Sequence, residues 1–453
     1  QCSWANAVQH SGPPTAELLR INMSDRAPLA GGRRPWQIKA DFYLTTYAKD
    51  PAWRACFDGF FFDNGHEWQS VANQPLDLDG DGRPDSDVFA SLEKGVRSFF
   101  DYIRQQGGPD LLVVPNNLDD LLPAANGRHR EYFVGKVNES VVSQDGTGQW
   151  PFSVWEHSME PYRSYQEAGA QPRLSLNSSQ PGTWTDYRQL RFALGSCLLL
   201  DGCFQFRQMS GDNGNWQHWY DEYSVDASGA STNGRVGRNW LGKPLGAARQ
   251  IVVPLTNPNL LAQAAWNLRT NRAASARLST RGDVMNVEVS GLSDHRPDNV
   301  QLTTFISADL RPGDTGTLSL EMRASVPRLI RFALAGGEML PARSKVLAPL
   351  FVSTNWERRV FSFTLRDARP LKSYPLSFFV GDDLGTVELR NVSWQMGGAV
   401  KGWTREFENG LVVVNPTLQA QDFSLTGTFK RIRGTQDAAH NNGQPVGSAL
   451  AVA

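Results

Sequence analysis

The chain has 453 residues, 40% hydrophobic and 20% charged, with a formal net charge of −1. That length accommodates two or three domains, and the near-neutral charge excludes a basic field of the kind that holds nucleic acid or an anionic membrane surface. No apolar run is long enough to span a bilayer, and nothing after Gln1-Cys2 has the basic-then-apolar layout of a secretion signal.

Taken in order, Phe42-Tyr43-Leu44-Thr45-Thr46-Tyr47 reads as a strand, and Asp50-Pro51 as a turn or helix start before Trp53. The run Phe57-Asp58-Gly59-Phe60-Phe61-Phe62-Asp63-Asn64 reads as a buried strand whose last side chains emerge into a cleft. Asp63 is then a catalytic candidate; the plainer reading makes Asp63-Asn64 a cap for the next segment of chain. Asp77, Asp79, Asp81, Gly82 and Asp85 have the spacing of a calcium loop, acids on alternate positions converging on one ion. Val88 stands where such a loop carries its bidentate Glu, so calcium is expected as a structural brace, against a plainer reading as a solvated acidic loop.

Val88, Leu92, Val96, Phe99 and Ile103 recur at helical spacing, and Gly107-Gly108 ends the helix. Strands are expected over 111–115, ending in Asn116-Asn117, and over 132–137, ending in Asn138-Glu139. A helix over 162–168, a strand over 172–176 leading to Asn177, a helix over 187–194 and a strand over 198–206 come next. Cys197 and Cys203 flank Leu198-Leu199-Leu200, too far apart on an extended strand to bridge, and no metal-type cysteine spacing occurs. Strand–helix alternation with polar residues after each apolar run predicts a parallel sheet or barrel. Five such strands are countable where a closed barrel needs eight, which favours a barrel whose first strands are missing from the sequence. From about residue 255 the texture changes to short alternating runs (284–289, 300–306, 316–323, 329–334, 357–365, 376–380, 386–394), the pattern of an antiparallel sandwich. Residues 400–453 read as a small all-β appendage.

These stretches resemble a family. The strand from Phe57 to Asn64, the loop Asp79-Gly80-Asp81-Gly82, Trp219 to Tyr223, Leu241 to Gly246 and, most specifically, Trp403 through Pro416 resemble the hypothetical glycosyl-hydrolase-like family 15. The resemblance covers roughly 40–254 and 400–445 and implies a TIM-barrel glycosidase followed by a small β domain. Between them, Asn259-Leu260-Leu261, Trp266, Arg311-Pro312-Gly313 and Val387 to Val392 resemble family 4/9 carbohydrate-binding modules, β-jelly rolls. The expected architecture is therefore α/β: a (β/α)8 TIM-type barrel over 1–254, an inserted β-sandwich over 255–399 and a C-terminal β domain over 400–453.

Glycoside cleavage needs two carboxyl groups flanking the bond, about 5–5.5 Å apart for retention and about 6.5–9.5 Å for inversion. Asp63 and Glu139 are the expected pair, each ending a strand and each beside an Asn that can hold a sugar hydroxyl and orient the acid. Asn64, Asn116, Asn138, Asn177, Asp201 and Glu222 are expected around the substrate. Trp68, Trp155 and Trp216, in loops after strands, are the expected stacking platforms. For Asp201, before Gly202 as Asp58 precedes Gly59, an ion pair is the plainer reading, and for Glu222 ordinary loop packing. No phosphate-cradling Gly-rich loop occurs at a strand–helix junction, so no organic cofactor is expected; the partner is a polysaccharide or oligosaccharide. The whole reads as an extracellular or periplasmic bacterial glycoside hydrolase, with a non-catalytic carbohydrate-binding protein of the cell surface or of exopolysaccharide assembly as its rival.

Overall fold

The computed structural model describes residues 21–62, 74–115, 135–138, 154–169, 171–179, 183–209, 215–234, 236–311, 313–334, 348–364, 373–417 and 419–452. Helix α1 (Pro35–Tyr43) continues into a π-helical turn, Leu44–Ala48. The 42–47 run is thus helical, not a strand. Its alternation of aromatic and polar residues is overridden by tertiary contacts, with Tyr43 edge-on to Phe60 and Phe62 at 5.6 and 5.4 Å. Pro51 starts α2 (Pro51–Arg54), capped by Asp50, which accepts from Ala52 N at 2.8 Å.

Strand β1 (Gly59–Phe62), helix α3 (Val88–Gly107) and strand β2 (Leu112–Pro115) come next. The five apolar positions of α3 read from the sequence are all buried. They share a core with Ala40, Leu44, Leu111 and Val113, against which Phe60 and Phe62 pack. β1 and β2 pair in parallel, Gly59 opposite Leu112 and Phe62 opposite Pro115. A side chain at Gly59 would overlap the Leu112 carbonyl, which explains the glycine.

Further along lie β3 (Gly135–Asn138), α4 (Val154–Ala168), β4 (Leu174–Ser179), α5 (Tyr187–Leu198), β5 (Cys203–Met209) and β6 (Asn215–Gln217). β3, β4 and β5 are parallel, with β6 antiparallel at the edge. β3 runs alongside β2 with Cα atoms within 8 Å. Glu156 lies in the first turn of α4, and Leu198 ends α5, so the expected strand over 198–206 begins only at Cys203.

The (β/α)8 barrel is not what the chain forms. Among the described residues the parallel strands fall into two separate sets, β1–β2 and β3–β4–β5, with no closed barrel. Strand–helix alternation reports local elements and their parallel pairing, and is equally satisfied by open sheets; closure leaves no periodic mark.

After a 3₁₀ turn (Asp221–Tyr223) and β7 (Arg249–Val252), the chain enters the sandwich. Its strands are β8 (Asn267–Thr270), β9 (Ser275–Arg281), β10 (Val284–Gly291), β11 (Val300–Ile306), β12 (Thr315–Ala324), β13 (Arg328–Leu334), β14 (Ala348–Val352), β15 (Glu357–Thr364), β16 (Tyr374–Phe379) and β17 (Gly385–Met396). They form two five-stranded antiparallel sheets, β15-β12-β17-β10-β9 and β14-β13-β16-β11-β8. Inward residues such as Leu318, Leu320 and Met322 on β12 alternate with polar outward ones. Trp394 is fully buried, and Gly316 leaves room for its indole. β9 turns into β10 through Gly282-Asp283, where Gly282 takes φ +63°, suited to a two-residue hairpin loop.

The sandwich begins and ends at one place, Val253 N donating to Ala399 O at 2.9 Å. β18 (Val400–Phe407) then pairs with both β7 and β19 (Gly410–Val414). This sheet packs on α5 through Phe407, Val412 and Val414. Short pairs close the chain: β20 (Gln421–Ser424) with β23 (Ala449–Val452), and β21 (Phe429–Lys430) with β22 (Pro445–Val446).

Candidate functional site

A cavity of about 500 Å³ opens between the two parallel sets. Gly59, Phe60 and Phe61 of β1 and Leu112 and Val114 of β2 line one side; Leu176, Asn177 and Ser178 of β4 and Cys203, Phe204 and Gln205 of β5 line the other. Phe61 and Leu176 are 53% and 43% exposed within it, which makes the lining apolar with a polar strip on β4–β5. That composition suits a ring with an apolar face and hydroxyl edges.

Asn177 is buried and donates to Cys203 O at 3.2 Å and to the Cys197 thiol at 3.4 Å. Tyr162 reaches the same cluster, donating to Cys197 O at 3.1 Å and accepting from Gly202 N. Gly202 can carry no side chain, because one would overlap Tyr162 and Asn177. Burial pushes the Cys197 thiol up to about 12, so it packs as a small neutral group and not as a nucleophile. Cys56, Cys197 and Cys203 are all free thiols.

The expected site residues divide. Asp63, Asn64, Trp68, Asn116 and Glu139 lie outside the described residues; Asp63 comes directly after the end of β1, Asn116 after that of β2 and Glu139 after that of β3. Asn138 and Trp216 lie on β3 and β6 by backbone alone. Asn177 is on the cavity wall. Trp155 is in the core, its Nε1 donating to Ser196 Oγ at 2.8 Å and its ring 5.8 Å from Trp403. Asp201 pairs at 2.8 Å with Arg405, whose guanidinium also donates to Leu198 O, Leu200 O and Gly246 O. Arg405 thereby ties the end of α5 to β18. Glu222 accepts from Arg191 at 2.9 Å and from Asn441 at 3.1 Å. Beside it, buried Asp221 accepts from Thr435 N and Gln436 N, both at 2.9 Å. Asp221 and Glu222 therefore anchor the C-terminal segment, a role with no sequence signal because the partners lie more than 200 residues away.

In the acidic loop, carboxylate oxygens of Asp77, Asp79 and Asp85 lie within 4.8 Å of one another. Asp77 accepts from Gly82 N and Gly80 N (2.8 and 2.7 Å), donation that holds its carboxyl below the ordinary value. Asp85 is shared with Arg26 at 2.6 Å and Leu78 N at 2.7 Å. Asp81 accepts from Arg83 N and stands outside the trio.

Sequence reasoning missed an aromatic pair at the connection after β4. Trp184, between β4 and α5, stacks on His218, with centroids 4.8 Å apart and planes at 19°.

Residues 42–261, 220 of the 453, match the model of a family described as hypothetical glycosyl hydrolase family 15. The 400–445 segment lies outside that match. No curated protein matches the chain. Among solved structures, the chain is similar to a module described as CBM4 (17% identity, 33% of this chain and 97% of that one, TM-score 0.24). It is also similar to the second N-terminal cellulose-binding domain of β-1,4-glucanase C from Cellulomonas fimi (15%, 35% and 100%, TM-score 0.25). A third is the CBM22-1 xylan-binding domain of Xyn10C from Paenibacillus barcinonensis (13%, 35% and 97%, TM-score 0.23). Likenesses at these scores assign neither a ligand nor a role to the sandwich.

Proposed function

We propose that the chain is a glycoside hydrolase acting on a polysaccharide outside the cytoplasm, with Asp63 and Glu139 as its paired carboxyl groups. The observation that carries this reading is the position of two strand ends: β1 and β3, from the two parallel sets, run out at Phe62 and Asn138, immediately before those two acids, and β2, paired with β1, has Cα atoms within 8 Å of β3. Strand ends are rigid supports, and acids leaving strand ends on either side of an intervening strand can flank one sugar ring. The family match over 42–261 supports the same reaction class. One acid protonates the leaving oxygen while the other attacks carbon or activates water. Gln205 on the cavity wall is placed to donate to a hydroxyl, while Asn177, whose amide already donates to Cys197 and Cys203, holds the wall in shape.

Calcium belongs to this proposal as a loop brace on Asp77, Asp79 and Asp85, remote in role from the chemistry. Among the described residues no helix is long and apolar enough to cross a membrane.

The test is release of reducing sugar from a polysaccharide panel by wild type, Asp63→Asn and Glu139→Gln. Each substitution should lower the rate by about 10²–10⁴-fold, the range for removing a positioned acid or base. Unchanged rates in both variants would discard the pair. Wild-type binding with no sugar released would favour the rival, a non-catalytic carbohydrate-binding protein.

A further inference from the structure

We propose that Trp184, held on His218 in the connection that follows the C-terminal end of β4, is a sugar-stacking subsite, taking a neutral pyranose unit by the face rich in axial C–H bonds. The inference rests on the polysaccharide reading above and adds to it the residue that grips the chain beside the reacting unit.

Three observations carry it. First, the ring is accessible and supported: Trp184 is 39% exposed, while its other face lies flat on His218. Second, it is fixed. Buried Tyr220 donates its hydroxyl to Trp184 O at 3.0 Å and packs edge-on against Phe206 of β5 at 5.4 Å. The platform is therefore built on the strand whose Phe204 and Gln205 line the cavity. Third, it sits in the connection that leaves the C-terminal end of β4, and Thr183 and Thr185 flank it with exposed hydroxyls, 3.2 Å apart. An aromatic face edged by hydroxyls meets the two surfaces of a pyranose, one apolar and one polar.

The other tryptophans supply the contrast. Trp155 is buried. Trp219 is 37% exposed, but its ring meets Gly234 and carries the Arg238 guanidinium 5.7 Å from the centroid, so a cation and not a flat ring lies on it. Trp356 lies under the guanidinium groups of Arg323 and Arg390, at 4.9 and 4.2 Å. Among these, Trp184 is the one that combines exposure with a ring stacked flat beneath it. An isolated exposed Trp needs no explanation; one whose ring is stacked and whose carbonyl is held by a residue packed on β5 is pre-organised for a ligand.

The test uses the full chain in affinity gels containing hydroxyethylcellulose, soluble xylan, glycol chitin or barley β-glucan, together with initial rates on any of these that is hydrolysed. Trp184→Ala should weaken retardation about tenfold and raise KM with kcat little changed, while Trp184→Phe keeps most of the affinity. His218→Ala should weaken binding less, and His218→Phe should restore it, since a flat ring beneath the indole is what positions it. Circular dichroism and melting confirm that the variants fold. Equal retardation of wild type and Trp184→Ala overturns the subsite, as does a wild type that binds none of the four. Binding without hydrolysis that is lost in Trp184→Ala leaves the subsite standing and sinks only the hydrolase reading.

Discussion

The sandwich and the parallel-strand region are held together in different ways. The sandwich has one continuous core, running from Leu261 through Leu318, Leu350 and Phe378 to Trp394. The parallel region has several smaller clusters, one under β1–β2, one between α4, α5 and β18–β19, one around Tyr220. Between such clusters, polar ties do the joining: Arg405 onto the end of α5, Asp221 onto the C-terminal segment, and Glu160 of α4 onto the sandwich. A single apolar core is tolerant in detail and cooperative as a whole. A set of small cores stapled by buried ions is sensitive at each staple.

The largest effect expected from breaking this contrast is at Trp394. Trp394→Ala empties the centre of the sandwich and should cost about 3–5 kcal/mol in urea unfolding. The staples come next. Glu160 accepts from Phe351 N at 2.8 Å and pairs with Arg359, and both side chains are buried. Arg163 adds a 2.6 Å pair with Glu357 and lies over Phe351. Glu160→Ala or Arg359→Ala strands a buried charge and should cost about 3–4 kcal/mol, whereas Glu160→Leu with Arg359→Met should cost less than either single change. If the two singles add up, the groups do not act as a pair and the contrast between the two regions weakens.

How much was legible in the sequence tracks the same division. The seven sandwich runs match strands because inward and outward positions alternate along each: Leu318, Leu320 and Met322 against Ser319 and Glu321. Helix α3 was legible from its 3.6-residue spacing for the same reason. The parallel strands were legible one at a time, but their assembly was not. Nothing in Leu174–Ser179 or Cys203–Met209 records whether the sheet closes, and the expected barrel failed there. At the site, the Asp201 ion pair was foreseeable from its Asp-Gly resemblance to Asp58-Gly59, though its partner Arg405 was not. The Glu222 contacts to Arg191 and Asn441, and the Trp184–His218 stack, join residues whose separations of 31, 219 and 34 carry no periodic signal. Trp184 could have been found only from its place after a strand, the criterion that pointed to Trp68, Trp155 and Trp216 instead.

The staple should also respond to pH. Burial pushes the Glu160 carboxyl up to about 7, against the lowering by Arg163 and the Phe351 amide, and burial pushes Glu156, on the same helix, up to about 8. Both shifts are upward for an acid. The folded chain therefore binds more protons than the unfolded one between the ordinary glutamate value and these values, and stability falls as pH rises through that window. The melting temperature should be higher near pH 5 than near pH 8. Glu156→Gln should flatten the slope. A melting temperature that rises steadily from pH 5 to 8 would mean that ion pairing outweighs desolvation at this contact.

The smallest effect expected is at the acidic loop, which its own groups hold: Asp77 takes two loop amides, and Asp85 takes Arg26 and the Leu78 amide. Calcium would join Asp77, Asp79 and Asp85 but compete with Arg26 for Asp85, so its gain is limited to ordering a loop already closed. Millimolar calcium should raise the melting temperature by about 1–3 °C over EDTA, and Asp79→Asn should abolish that difference without lowering the value in EDTA, since the only described bond of the Asp79 side chain to the loop backbone is with Asp81 N. Arg26→Gln should enlarge the calcium response by releasing Asp85. The opposite order, a response lost with Arg26 and kept without Asp79, would make the loop a peptide turn held by an ion pair and not a cation site, and would align it with the other staples of the parallel region.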